Sequence, residues 1–490
     1  LKKNLLHTFL ITLCGIQALA QAPSLSWQKN IGGSAGEFDL ICSQNFQGDI
    51  FIAGTTYSSS SGDIPLNNGG ADIYIAKLNA SGNESWSYNF GGSLDDSPIS
   101  IAPTSDGGVI ILCYVTSTNV GGDFNQAGVW LLKLNNDGST GFKTFYGGNP
   151  NLKGKVIQTS DGGFIFHSIK TVGVNGLESW VYKTHSDGTY DWDATYGGTS
   201  DEFAADILEY GGDYYVLGES NSSTVNGKSN HGLSDLLLLK INSTGVNQWT
   251  RLMGGNGNDG GVRLVLDDAK NLLILGYNSS IGGNVLENNG GIDFWIINMD
   301  TTGFSSNNYS VGKINDDYPS DIYFNESTFS GVVVGETYSS GWSPAPYTDP
   351  TISNFLVAEL IPFGGTAWKD ALGGSDSDAP TSIIGTIDGG LLISGHSYSN
   401  DGDLTIGSNK GGADFWLVKL AYPCSDELNL NAASFSKSIS RTAESSINTN
   451  SQFTGSQTKV KLRSSHIQLE PGFKVEPGTV FETEIGGCPP

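Results

Sequence analysis

The stretch Trp368–Leu420 reads WKDALGGSDSDAPTSIIGTIDGGLLISGHSYSNDGDLTIGSNKGGADFWLVKL, and its order of residues decides the fold. An aromatic residue leads, and a Gly-Gly pair begins five residues later at Gly373. An acidic loop follows, then an apolar run, then the turn Asp388-Gly389-Gly390. A second apolar run, a long Gly/Asn/Ser loop and a third apolar run complete the unit. Asp-Gly between apolar runs signals a tight hairpin, because such turns need positive φ. β-branched and aromatic residues fill the runs, as strands require.

The chain holds seven copies of this unit. The leading position is Trp27, Trp86, Phe142, Trp192, Trp249, Asn307 and Trp368. Five residues on stand Gly32, Gly91, Gly147, Gly197, Gly254, Gly312 and Gly373. The second glycine follows in every copy but the sixth, where Lys313 replaces it and the aromatic is also lost. A period of about 50 to 61 residues implies a solenoid or a propeller. Each copy carries four strand signals; in the second they are Trp86–Phe90, Ile99–Pro103, Val109–Val115 and Val129–Leu134. The expectation is an all-β, seven-bladed β-propeller of four-stranded antiparallel blades. A linear solenoid is the runner-up, but it wants atypical capping repeats, and the first and last copies here are among the most regular. The array starts on an aromatic strand and ends on the run Asp414–Leu420. Leu25–Asn30 is therefore expected beside that run, closing the last blade and sparing an open edge.

The elements Asn30-Ile-Gly-Gly-Ser34, Ile52-Ala-Gly-Thr-Thr56 and Gly70-Ala-Asp72 resemble the bacterial seven-bladed propeller repeat called the SBBP repeat, and related repeats of secreted Bacteroidetes proteins. The resemblance covers about Ser24 to Tyr422. It implies a propeller and no chemistry.

Gly is 67 of 490 residues, and charged residues are few, which suits a turn-rich β protein. The net charge of -25 repels nucleic acid and anionic lipid, so neither is an expected partner. Lys2 and Lys3, the apolar run Leu5–Ala18 and the small-residue site Ala18-Leu19-Ala20 read as a signal peptide over 1–20. No stretch reaches the ~20 apolar residues of a spanning helix. Export to the cell surface, periplasm or medium is expected, and disulfides are permissible there. Cys42 and Cys113 lie in apolar runs and are expected as buried thiols.

The propeller is assigned to 21–423, and composition shifts at Pro423-Cys424. The remainder, 424–490, shows short apolar alternations separated by Pro471-Gly472 and Pro477-Gly478, a small β domain of short strands. The phrase from Ile467 to Phe481, with Ile485 and a closing Cys, resembles the three-coathanger stack module of Bacteroidetes surface proteins. Cys424 and Cys488 bracket this segment and are expected to be bonded, restricting the unfolded chain by about 4 kcal/mol.

Catalytic constellations are sparse. Sialidase-type chemistry needs three arginines on a substrate carboxylate, and the propeller has only Arg251 and Arg263, in one repeat. His167, His185, His231 and His396 fall in different repeats and read as structural or surface residues. No Gly-x-Ser-x-Gly nucleophile signal is read, the spacing at Gly32–Gly36 belonging to a repeat loop, and no HExxH pattern occurs. The leading expectation is a non-catalytic exported protein that binds a partner or acts as a cell-surface scaffold. The alternative is an extracellular glycan-active enzyme using two carboxylates, a glycoside hydrolase or lyase.

Strand alternation places the Gly-Gly loops and the long Gly/Asn/Ser loops on one face, and the tight hairpins on the other. Binding residues favour variable loops on a rigid scaffold. The candidates are therefore Asp39, Asp63, Asp95, Asp123, Asp201, Asp259, Asp316, Asp376 and Asp403, with Trp342 and Tyr347 as aromatics able to stack on a sugar. The same aspartates fit side-chain capping of their own turns, and Trp342 and Tyr347 fit simple loop packing. No cofactor is expected; calcium is the ion whose oxygen chemistry such loops match. The expected partner is a glycan or another surface protein, with the chain itself a monomer.

Overall fold

The computed structural model describes residues 22–119, 126–148, 153–173, 176–325, 328–342, 351–361, 364–404, 409–423, 425–430, 434–435, 439–449, 451–453, 459–464, 466–477 and 479–485. All the regular elements among them are strands. Seven four-stranded antiparallel sheets form the blades. Blade one runs outward through Glu37–Gln44, Ile50–Thr56, Asp72–Leu78 and Glu84–Phe90. Blades two to six repeat that order, with inner strands Asp96–Pro103, Lys155–Gln158, Glu202–Tyr210, Asp259–Leu266 and Asp317–Asn325. Blade seven takes three strands from the end of the array, beginning at Asp378–Gly385, and its outer strand is Ser24–Ile31.

That last pairing closes the ring as expected. Trp27 lies opposite Lys419, and Asn30 opposite Trp416. The buried amide of Gln28 ties the seam: its Oε1 accepts Trp416 Nε1 at 2.9 Å, and its Nε2 donates to the Asp403 carbonyl at 2.8 Å. The two middle strands of each blade are apolar runs because both of their faces are covered. Val109–Val115 and Gly128–Leu134 are almost entirely buried. Clusters of Ile, Leu, Val and aromatic side chains fill each gap between neighbouring blades. Cys42 and Cys113 are buried free thiols within them.

The leading aromatic has a defined partner. Gly82, Gly138, Gly188 and Gly245 end the outer hairpins with φ between 78° and 86°. A Cβ there would meet Trp27, Trp86, Phe142 and Trp192 of the preceding blade. Positive φ and the ring each demand glycine. In the sixth copy, Asn307 has no ring to offer. Tyr309, two residues on, covers Gly364 instead.

A β-bulge interrupts the inner strand of six blades, between Phe38/Ile41, Pro98/Ser100, Ala204/Asp206, Gly261/Arg263, Pro319/Asp321 and Pro380/Ser382. Bulges bend a strand and re-aim the next side chain. The first residue past each bulge, with Lys155 in blade three, occupies one level around the central channel.

Beyond the propeller the strands run parallel. Ile439–Thr449 lies between Ser425–Leu430 and Lys459–Ser464, and Val480–Ile485 adds to the latter. Ala443, Ile447, Val460 and Leu462 are its buried core. Cys424 and Cys488 lie outside the described residues. No helix of the described residues is long and apolar enough to cross a membrane.

Candidate binding site

The Gly-Gly loops and the long loops do share one face, and they hold each other. In six of the seven loops an acid at the start of the inner strand, Glu37, Asp96, Glu202, Asp259, Asp317 or Asp378, turns back to cap the loop. Asp96 accepts the amides of Gly92, Thr116 and Ser117 at 2.7, 2.9 and 3.0 Å. Asp259 does the same for Gly255 and Ser279, at 2.7 and 3.2 Å, and is fully buried. Burial pushes the Asp259 carboxyl up to about 6 against the lowering effect of those amides.

The other candidate aspartates bridge blades. Asp95, Asp201 and Asp316 accept the amides of Ala71, Leu177 and Ile292 at 2.8, 2.9 and 2.9 Å. Each amide belongs to the preceding blade, at or just before the start of its third strand. Asp63 and Asp403 accept Gly32 N and Gly373 N at 3.3 and 3.0 Å. Lys410 pairs with Asp63 as well. Asp376 is exposed, and its backbone amide donates to Ser399 Oγ at 3.1 Å. These carboxylates are spread round the ring and are not brought together. Asp123 and Tyr347 lie outside the described residues. Trp342 is 7% exposed and packs in the core between blades five and six. Lys313 Nζ and Lys369 Nζ each stand 4.9 Å from the centre of its ring.

Other aromatics occupy this face, and sequence reasoning missed them. Tyr318 and Tyr338 meet edge to face at 6.1 Å. With Asp316, Asn315, Ile314 and Gly291 they line a cleft of about 410 Å³. Tyr318 OH donates to Asp316 Oδ2 at 3.1 Å, and Tyr338 OH to Glu336 Oε2 at 3.3 Å. Nearby stands a second cluster, with the Phe38 ring 6.1 Å from Tyr57, 5.3 Å from His396 and 6.2 Å from Tyr398. Tyr57 and Tyr398 are 50% and 41% exposed. Asp39, in the bulge beside Phe38, is exposed and takes φ 59°, a strained value for a non-glycine residue. A Tyr or Phe at an exposed loop start was the available signal, since such rings are ordinarily buried.

A cavity of about 790 Å³ lies in the channel on the hairpin side. Its inner wall is the level past the bulges: Ile41, Ser100, Lys155, Asp206, Arg263, Asp321 and Ser382. Three of these bind the next blade. Ser100 Oγ accepts Val156 N at 3.2 Å, Asp206 accepts Leu264 N at 2.9 Å, and Asp321 accepts Ile383 N at 3.0 Å. Arg263 Nε lies 3.4 Å from Asp321, and its Nη1 donates to the carbonyls of Val262 and Ala205 at 3.1 and 3.3 Å. Burial raises the Asp206 carboxyl, while Lys155 and Arg263 oppose the rise. His167, behind Lys155, is buried with Nε2 2.8 Å from Ser179 Oγ, and burial pushes its pKa down to about 4. It is a neutral structural residue, as expected. The available signal for the wall was a column: aligned on their hairpins, the repeats place charged or small polar residues at one position of an otherwise apolar strand.

No family model matches the chain. No curated protein matches it. Several solved structures are similar in fold. One is a protein of unknown function from Dyadobacter fermentans, 10% identical with a TM-score of 0.44, covering 82% of this chain and 99% of that one. Another is the periplasmic gluconolactonase of Pseudomonas aeruginosa, 8% identical with a TM-score of 0.43, covering 79% of this chain and 100% of that one. The plexin A4 extracellular region is 10% identical with a TM-score of 0.46, covering 81% of this chain and 47% of that one.

Proposed function

We propose that the protein is an exported, non-catalytic propeller that binds a glycan or a surface protein on its loop face. One observation carries this reading. The loop carboxylates accept backbone amides of their own or a neighbouring blade, while Tyr318, Tyr57 and Tyr398 present exposed rings beside them. Carboxylates so held brace loops; they are not poised to move protons. Exposed rings beside polar groups are the usual equipment for stacking on sugars. The SBBP-like repeats, the leader-like segment at 1–20 and the coathanger-like tail fit a protein displayed outside the cytoplasm.

A glycan array probed with the full chain tests this. Binding is expected, and Tyr318→Ala should weaken it at least ten-fold without moving the melting temperature. Turnover of any bound glycan, lost in Asp316→Asn, would overturn the non-catalytic reading. Binding untouched by Tyr318→Ala would move the site off this cleft.

A further inference from the structure

The central cavity has two kinds of wall. One is the charged level past the bulges. The other, nearer the hairpins, is a half-buried collar of Ile157, Leu208, Val265, Tyr323 and Ile384. Half-buried apolar side chains gathered on one cavity are costly to leave in water. A volume near 790 Å³ is that of a small-molecule site, and such sites are apolar with a few placed polar groups.

The charges are unequally committed. Asp206 accepts the amides of Ile207 and Leu264, and Asp321 those of Ile322 and Ile383. Both carboxylates are thus solvated by backbone. Arg263 Nη1 donates to two carbonyls, its Nε is buried 3.4 Å from Asp321 without a hydrogen bond, and its Nη2 has no partner among the described residues. Lys155 Nζ has no hydrogen bond or ion pair among the described residues, yet its charge reaches Asp206 and Cys42 across the channel. The wall therefore offers unspent donors and no unspent acceptor of equal strength.

We propose that this cavity binds a small amphiphile, its anionic head group at Lys155 and Arg263 Nη2 and its apolar body in the collar. The net charge of -25 repels anions at a distance, so burial of the body and the local donors supply the affinity. The site is independent of the loop face.

Displacement of the fluorescent sulfonate 8-anilinonaphthalene-1-sulfonate from the full chain tests it, with dodecanoate and dodecan-1-ol as competitors. Dodecanoate should displace the dye at least ten-fold better than the alcohol. Lys155→Gln should erase that preference while leaving the alcohol unchanged. Ile157→Glu, at a half-exposed collar position, should weaken both, and Tyr318→Ala should change neither. Equal displacement by acid and alcohol, a preference that survives Lys155→Gln, or no displaceable dye would overturn the proposal. Circular dichroism melts of each variant separate lost binding from lost folding.

Discussion

A lysine from the third strand closes the inner hairpin of five blades. The pairs are Lys77–Asp49, Lys133–Asp106, Lys183–Asp161, Lys240–Asp213 and Lys419–Asp388, at 2.8 to 3.1 Å. The two partners live in different media: Lys183 keeps 2% of its side-chain surface and Asp161 keeps 60%. Burial works against the Asp161 charge, but Lys183, Thr159 Oγ1 and Gly163 N outweigh it and hold the carboxyl at about 2. The pair should therefore respond unequally to mutation. Asp161→Ala leaves a buried ammonium with the Thr184 carbonyl as its remaining partner, and should cost about 3 kcal/mol. Lys183→Met removes the buried charge and fills its space, and should cost about 1 kcal/mol or less. Urea unfolding of both variants measures the difference; equal losses would show that the hairpin carboxylate is not what stabilises the lysine.

At the next scale, the seams between blades are built from paired acids. Asp72 and Asp96 both press on Gly91, where an added Cβ would meet their oxygens at 2.1 and 2.8 Å. Glu178 and Glu202 do so at Gly197, at 1.8 and 2.1 Å. Asp235 with Asp259, and Asp414 with Glu37, repeat the arrangement in other seams. One oxygen of Asp72, Asp235, Asp293 and Asp414 is buried with no hydrogen-bond partner. A proton on that oxygen would satisfy it, with the second carboxylate as neighbour. Burial first, then the partner's charge, pushes Asp72, Asp293 and Asp414 up to about 6 and Glu178 up to about 7, against the lowering effect of the amides that Asp72, Asp293 and Asp414 accept. The sign follows from linkage. Between the ordinary carboxyl range and these values the folded state holds protons the unfolded chain has released, so stability falls as pH rises through about 4 to 7. Hairpin aspartates such as Asp161 act oppositely, losing their contribution as pH falls toward about 2. The melting temperature should therefore peak near pH 4 to 5 and decline toward 8. In the sixth seam Asn354 already stands opposite Asp378, a neutral amide at the position held by Asp72, Glu178, Asp235, Asp293 and Asp414 in five others. Asp293→Asn should copy it and raise the melting temperature at pH 8; a profile flat from pH 5 to 8, unmoved by that change, would refute shared protons. Much of this element was legible in advance. The invariant Gly offset and the Asp-Gly turns recur in sequence because every blade meets the same backbone demand. The cavity wall was legible only as a column of charged or small polar residues after aligning the repeats on their hairpins, because bulges take Ser100, Asp206, Arg263, Asp321 and Ser382 out of the simple strand alternation. Tyr318 and Tyr338 come together only across two strands of blade six, so no linear spacing announces their cleft.

For the whole molecule, one strand decides whether the ring exists. Ser24–Ile31 pairs with Asp414–Ala421 across nearly the entire propeller sequence, while the other blades pair strands close in the chain, blade four with only a short hairpin between its second and third. Loop-closure entropy makes such a distant pairing late and slow to form. Its importance lies in what it covers. Outer strands elsewhere are half-exposed, as in Glu84–Phe90, but Asp414–Leu420 is buried throughout, with Phe415 and Trp416 in the core. Left bare, it would be a long apolar edge with unpaired amides, the template on which sheets add to one another. Glycine seams would open too, because Gly32 carries the contact with Asp414 and Asp63 that locks blade seven to blade one. A chain begun at Gly33 should therefore form concentration-dependent oligomers larger than the state of the full chain. Adding the peptide of residues 22–32 in excess should reverse this by strand addition. Size-exclusion chromatography with light scattering reads both outcomes. A shortened chain that keeps the full chain's size and melting temperature would show that six complete blades hold the seventh without its outer strand.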